Sequence, residues 1–298
     1  MNIIEDEDFL KFTAEQESQF IVTTSDLREQ SKRSFDVTDE NTGLKLVWPK
    51  THDLIALRGG ELTIWAGING HGKSQVLNQI CALTCSVEKW LICSLEMPLK
   101  KTMNRLLRQM SGLSNPSDSY IDQLIDKTAD RVWIYDQIDT VPSERIIAMI
   151  HYASQKLGIQ HIIIDSLVKC GMGVDDYNAQ KNFVDKLAWA AKRYNIHIHL
   201  VHHIRKGESE EKLPDKFDIK GAGEIGDLAD NIIIFHRNKK KERLVEKGEE
   251  VDEGMPDNVL YVAKQRHGSG REGRVGLYHH PASLQYVSAP NAKPFQEV

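Results

Sequence analysis

The amino-acid sequence predicts an α/β fold: a mostly parallel sheet with helices on both faces and an antiparallel extension near the C-terminus. Three observations carry this expectation. From residue 61 to residue 201 short apolar runs alternate with longer helical patterns. The runs are apolar throughout rather than at every second position, so neither face of the sheet is wet and both must be covered. After residue 203 charged, glycine-containing stretches separate further short strands, which is the texture of antiparallel pairing. With 298 residues, 40% of them hydrophobic, the chain can bury such a sheet.

Residues 1–45 form a polar arm in which Phe9, Phe12, Phe20 and Leu27 make a weak helical pattern, too sparse for a core of its own. Residues 46–298 make the main domain. Gly59-Gly60 signals a turn before a predicted strand at 61–66, and a predicted helix over about 73–88 follows. The alternation continues with a strand at 90–95, a helix from Pro98 to about Met110, a strand at 132–135 and a helix over 142–157. A strand at 161–165, a helix from about Asn178 to Tyr194 and a strand at 196–201 complete the series. Beyond a loop at 206–223 come a strand at 231–235 and two more at 259–263 and 274–278. The Lys- and Glu-rich segment 237–256 between them reads as a solvated connection, with Lys239-Lys240-Lys241 in a turn.

The net charge of -5 gives no global attraction to nucleic acid, so any such contact must come from basic residues gathered locally. Cys81, Cys85, Cys93 and Cys170 form no C-x-x-C pair and fall mostly in buried elements, as reduced thiols of a cytoplasmic protein do. Cys81 and Cys85 share a helix face without a second pair of metal ligands. The acidic N-terminus and the lack of any long apolar run predict neither export nor a membrane span.

Gly67-Ile-Asn-Gly-His-Gly-Lys-Ser74 fits G-x-x-x-x-G-K-[ST] at every fixed position and lies between a predicted strand and a predicted helix, the context the motif requires. Glycines there let backbone N–H groups wrap phosphates, a lysine offsets phosphate charge and the serine hydroxyl ligates magnesium. The expected nucleotide-binding set is Gly67, Asn69, Gly70, His71, Gly72, Lys73, Ser74 and Gln75, with Arg105 behind it; the cofactors are ATP or another NTP and Mg2+. Asp165 closes an Ile-Ile-Ile strand about 90 residues later and is placed to hold magnesium with Ser74. Glu96 closes the run 90–95 before Met97-Pro98, where its carboxylate can orient and deprotonate an attacking water. A charge at a helix N-terminus is the plainer reading of that glutamate.

Gly67–Ser74, Ser94-Leu-Glu-Met-Pro98 with Arg105, Ile164-Asp165 and Ala263-Lys-Gln-Arg-His-Gly268 together resemble the motor domain of the DnaB-like replicative helicases, ring-forming RecA-fold ATPases. The helicase half of phage primase-helicases and Twinkle is also similar. The resemblance spans about residues 44–285. It implies a RecA-like fold, with Glu96 as the catalytic glutamate and Asp165 as the magnesium-organising aspartate. It further implies Lys264 and Arg266 as the basic pair that reaches a neighbour's nucleotide, Arg266 being the arginine finger. By composition alone those two are a solvated cationic strand face. His203 looks like the γ-phosphate sensor, although a satisfied strand-end histidine fits the sequence equally well.

The loop after His203 corresponds in the resemblance to the central-channel DNA loop, with Lys206, Lys220, Gly221 and Gly223 as the expected nucleic-acid contacts; its glutamates leave a merely solvated loop open. The arm is expected to supply at most the linker helix by which one subunit packs on the next. The expectation is therefore a ring of six subunits that hydrolyses NTP at its interfaces and moves on single-stranded DNA, 5′ to 3′ as in the family. A primase or helicase loader is the further partner. The alternative is a RecA-like ATPase, DNA-dependent or regulated by a partner, that does not unwind.

Overall fold

The computed structural model describes residues 21–29, 31–32, 43–173, 175–204, 209–219, 222–267 and 271–296. The chain divides into two units, residues 1–42 and 43–298, against the sequence expectation of a boundary after residue 45. Of the smaller unit, the described part is a polar turn in which the Thr23 amide donates to Asp26 Oδ2 at 2.9 Å.

The larger unit opens with a two-stranded ladder, β1 (Leu44–Lys45) and β2 (Ala56–Leu57). A nine-stranded sheet then takes β3 (Leu62–Gly67), β4 (Trp90–Ser94), β5 (Val132–Ile134), β6 (His161–Asp165), β7 (His197–His203), β8 (Asn231–Arg237), β9 (Asn258–Gln265), β10 (Gly273–His280) and β11 (Gln285–Val287). Its order is β11-β10-β9-β8-β3-β7-β6-β4-β5. The six strands from β8 to β5 are parallel, and β9, β10 and β11 add antiparallel to β8, as the sequence predicts. Strand order reverses around β3, between β8 and β7, which is where ligands sit in open α/β sheets.

Helices cover both faces because strand residues alternate between two cores. Trp65, Trp90, Ile163 and Val201 point to the face carrying α1 (Lys73–Thr84), α2 (Leu99–Ser111) and α3 (Asp118–Thr128). Ile64, Leu91, Ile162, Ile164 and Leu200 point to the face carrying α4 (Ser143–Tyr152), α5 (Tyr177–Tyr194) and α6 (Ala222–Leu228). Helix ends follow local chemistry: Asp176 Oδ1 accepts the Ala179 amide at 3.0 Å to start α5, and Asn195, at φ 51, ends it. No helix among the described residues is long and apolar enough to cross a membrane.

Several expectations are corrected. The helix expected to reach residue 88 stops at Thr84, whose hydroxyl turns back to Ile80 O at 2.6 Å. The helix expected over 142–157 is α-helical to Tyr152 and ends in one π turn, Ala153–Leu157. The Lys-rich segment is not a solvated turn but a helix, α7 (Lys239–Glu246). Asn238 Oδ1 caps it through the Lys241 amide at 3.1 Å, and Lys239 pairs with Glu242 at 2.7 Å. Lys, Glu and Arg are good helix formers, and without an apolar stripe α7 gives no periodic signal. Helix α3 and strand β11 are likewise absent from the sequence reading.

Strand β11 is bound by side-chain amides as well as by β10. Gln79 Nε2 donates to Tyr286 O at 2.9 Å while Tyr286 N donates to Gln79 Oε1 at 2.7 Å. Trp48 Nε1 reaches the same carbonyl at 2.7 Å. Gln285 pairs in the same two-way manner with Phe295, at 2.8 and 2.9 Å.

Candidate nucleotide site

The loop from Gly67 to Gly72 leaves β3 and opens α1, as the motif requires. Gly70 and Gly72 have φ of 79° and 96°, a region that side chains disfavour. Gly72 has a second reason: a Cβ there would overlap the Tyr286 hydroxyl. Gly67 is pressed against β8, where an added Cβ would lie 2.5 Å from Phe235 O. Asn69 and Gly70 are exposed at the loop tip.

Lys73 is buried, with Nζ donating to Gly67 O at 2.8 Å and to Ile68 O at 3.0 Å. Burial lowers its pKa to about 8, against the pull of Asp165 and Glu96, so near neutral pH the ammonium is still charged. The register Ser94↔Asp165 sets β4 and β6 side by side, and the Leu95 amide donates to Asp165 O at 2.9 Å. That register delivers two carboxylates to one place. Asp165 accepts a hydrogen bond from Ser74, and its carboxyl is raised above the usual range, chiefly by burial and further by Glu96, while Lys73 and Arg105 oppose the shift. Glu96 Oε1 accepts from Ser166 Oγ at 2.9 Å. Arg105, on α2, is held below its ordinary pKa by burial and faces Asp165 and Tyr286. His203 ends β7 directly opposite Gly67 in the parallel register.

Two expected nucleotide contacts are first of all scaffold. The His71 ring turns toward β8, with Nδ1 accepting the Arg237 amide at 3.1 Å, while its carbonyl accepts Asn258 Nδ2 at 3.0 Å. Burial and the neighbouring His236 hold its pKa down to about 4. Gln75 Nε2 donates to Leu284 O at 2.9 Å, tying the first turn of α1 to the C-terminal strands. Beside the loop opens a cavity of about 570 Å³ lined by Gly72, Gln75, Arg237, Lys241, His279 and Tyr286, among others. Lys241 is paired with Asp257 at 2.7 Å and Arg237 with Glu242 in its wall.

Lys264 and Arg266 lie apart from these groups. A bulge between Ile232 and Ile233 shifts the β8–β9 register so that Lys264 sits opposite Ile232. Lys264 Nζ donates to Gly226 O at 2.9 Å and Asp227 O at 3.2 Å; Arg266 Nη2 donates to Asp227 O at 2.6 Å and Nη1 pairs with Asp230 at 3.1 Å. Both cations thus cap the C-terminal end of α6, the placement that a helix dipole favours. Of the expected DNA contacts, Lys206, Lys220 and Gly221 lie outside the described residues. Gly223 is not in the loop but in the first turn of α6, where it is exposed. Among the described residues no group of three or more His, Cys, Asp or Glu could hold a metal, and all four cysteines are buried and free.

Ser166, Arg237, Asp230 and Tyr286 were missed by sequence reasoning. Ser166 directly follows Asp165, a signal that could have been used; nothing near Tyr286 in the chain points to Gly72.

A phosphate-wrapping loop at the switch point of a parallel sheet, with two carboxylates on neighbouring strand ends, defines a P-loop nucleotide-binding protein of RecA-like fold. Residues 37–209 match the family described as AAA domain, and the chain belongs to that family. It is 24% identical over 219 residues, 66% of the chain, to the chloroplastic/mitochondrial Twinkle homolog protein of Arabidopsis thaliana. It is 23% identical over 210 residues, 62% of the chain, to the DNA helicase/primase of Enterobacteria phage T3. The chain spans 31% and 37% of the lengths of these two relatives. Among solved structures, a DnaB-like replicative helicase studied with primase superposes with a TM-score of 0.73 at 16% identity, covering 92% of this chain and 70% of that one. A second solved structure, an isolated ATPase domain, gives 0.73 at 16% identity, covering 89% and 98%.

Proposed function

We propose that the chain is the motor of a ring-forming, ATP-dependent DNA helicase that hydrolyses NTP at subunit interfaces and moves on single-stranded DNA, 5′ to 3′. The observation that carries the reading is the convergence of Lys73, Ser74, Asp165, Glu96 and His203 at the carboxyl ends of β3, β6, β4 and β7. A hydroxyl and a carboxylate are hard oxygen donors suited to Mg2+, so Ser74 and Asp165 would hold the ion, which supplies charge neutralisation at the β- and γ-phosphates. Lys73 exchanges its two loop carbonyls for phosphate oxygens. Glu96, steadied by Ser166, orients and deprotonates the attacking water, and His203 donates to the γ-phosphate. The adjoining cavity takes the sugar and base. Arg266 and Lys264 reach the nucleotide of a second copy. The likeness to a phage helicase/primase and to a DnaB-like helicase supports DNA as partner, six-fold assembly, and a primase or loader as a further partner. The arm 1–45 would serve as the linker between subunits.

A second reading is favoured by one observation: Lys264 and Arg266 are occupied by their own α6. In that reading the chain is a RecA-like ATPase, DNA-dependent or controlled by a partner, without unwinding. The test is ATP turnover against protein concentration, with and without single-stranded DNA, beside mass by light scattering. Cooperative, DNA-stimulated turnover that coincides with a closed oligomer is expected, and Arg266→Ala should lose turnover yet regain it when mixed with Lys73→Ala subunits. Concentration-independent turnover by a monomer would sink the ring.

A further inference from the structure

The carboxylate of Asp230 is fully buried, and both of its oxygens are used. Oδ2 accepts the Leu62 amide at 2.9 Å, at the start of β3. Oδ1 faces Arg266 Nη1 at 3.1 Å and His267 Nε2 at 3.3 Å. The backbone is pinned on both sides: Asp230 N donates to Leu62 O at 2.9 Å, and Arg266 N donates to Asp230 O at 2.9 Å. The carboxylate is therefore immobile with respect to the central strand from which the phosphate loop departs.

Arg266 is the partly exposed member of this pair, its side chain 38% accessible against 0% for Asp230. A flexible side chain on a strand end visits many rotamers; a planar guanidinium held at two points, Asp230 Oδ1 and Asp227 O, keeps one. A guanidinium has five N–H donors, so two anchoring bonds fix its plane and still leave it able to donate to a phosphate oxygen. The buried partner is also costly to leave without its counter-charge, which makes the docked geometry the resting one.

We propose that Asp230 is a positioning residue for Arg266: through the buried ion pair it aims the guanidinium that acts on the nucleotide of a second copy of this chain. This rests on the trans-acting reading of Arg266 given above. Asp230 itself touches no nucleotide, and its effect passes wholly through Arg266.

The experiment is a double-mutant cycle on the full chain, with Asp230→Asn, Arg266→Ala and the pair combined. Asparagine keeps an oxygen for the Leu62 amide and removes the charge. Steady-state ATP turnover is read together with nucleotide affinity. Asp230→Asn is expected to lower kcat by about tenfold, the worth of one charge-assisted hydrogen bond, with KM unchanged. Added to Arg266→Ala it should lower kcat no further. Mixing Asp230→Asn subunits with Lys73→Ala subunits should restore turnover, because the latter bring a well-aimed Arg266. Losses that multiply in the double variant, or no recovery on mixing, overturn the proposal and leave Asp230 as a support of β3 and β8. If Asp230→Asn does not fold, Asp230→Glu, which keeps the charge but moves it, enters the same cycle with the same criteria. If Arg266→Ala alone leaves turnover intact, it is the trans-acting reading that fails, and the two failures are thereby distinguished.

Discussion

Strand β7 carries histidines at both ends, and its two ends use them differently. At the amino end, Trp65 Nε1 donates to His199 Nδ1 at 3.2 Å, so His199 carries its proton on Nε2 and donates to His161 Nδ1 at 3.1 Å. His197 donates through Nδ1 to Arg58 O at 2.6 Å and accepts from Thr63 Oγ1 at 2.8 Å. Trp90 stacks on His161 with centroids 4.3 Å apart. These three rings are neutral, and burial holds all of them below the usual imidazole range. At the carboxyl end, His203 lies half-buried opposite Gly67, among Lys73, Asp165 and Glu96. There, fixed charges of both signs are assembled around the phosphate loop. The amino end is closed chemistry, with ring nitrogens satisfied by neighbours; the carboxyl end holds cations and hard oxygen donors that a magnesium polyphosphate would complete. Burial of a histidine thus says little about function until the partners of its nitrogens are counted.

Three perturbations would break or sharpen that contrast. The largest effect is expected from Glu96→Gln, which should lower turnover by about a hundredfold or more while nucleotide affinity holds, as removal of a general base does. Fluorescent-nucleotide binding beside single-turnover hydrolysis separates the two, and a matching loss of affinity would assign Glu96 to ground-state binding instead.

Next in size is acid sensitivity from the amino end. His197 drops from its ordinary value of 6.5 to about 4 in the folded chain. The unfolded chain therefore binds a proton below pH 6.5 that the folded chain refuses. Stability is full above that pH and falls as pH drops toward 4, by on the order of 3 kcal/mol for this ring alone. His161 and His199 extend the fall to lower pH. Urea denaturation at about pH 7.5, 6 and 5 measures it, and a flat profile would mean that the rings are charged or solvated. His203→Gln should leave the profile unchanged, because that residue belongs to the other end.

The smallest effect is Tyr286→Phe. Removing the hydroxyl that rests on Gly72 should raise KM for nucleotide by about threefold and leave kcat in place. A KM equal to that of the parent would show that the contact merely fills space.

What the sequence revealed follows from how local each signal is. The phosphate loop is contiguous, and Asp165 and Glu96 stand at the ends of apolar runs, so a parallel sheet must bring them together. The continuous apolarity of 61–66, 90–95 and 161–165 likewise pointed to the covered sheet. Helix α7 stayed hidden because ion pairs and an asparagine cap, not an apolar stripe, hold it. The Asp230–Arg266 pair depends on the β8–β9 register and its bulge, and Tyr286 on the return of a three-residue strand. Neither can be computed from nearby residues.

The paired glutamines have a consequence for assembly. Gln79 saturates the outward N–H and C=O of Tyr286, and Gln285 does the same for Phe295, so β11 offers no row of vacant backbone groups. A border strand closed in this way rejects strand addition from another molecule. Copies of this chain are thereby turned away from runaway edge-to-edge aggregation at β11, and any association must use side-chain surfaces elsewhere.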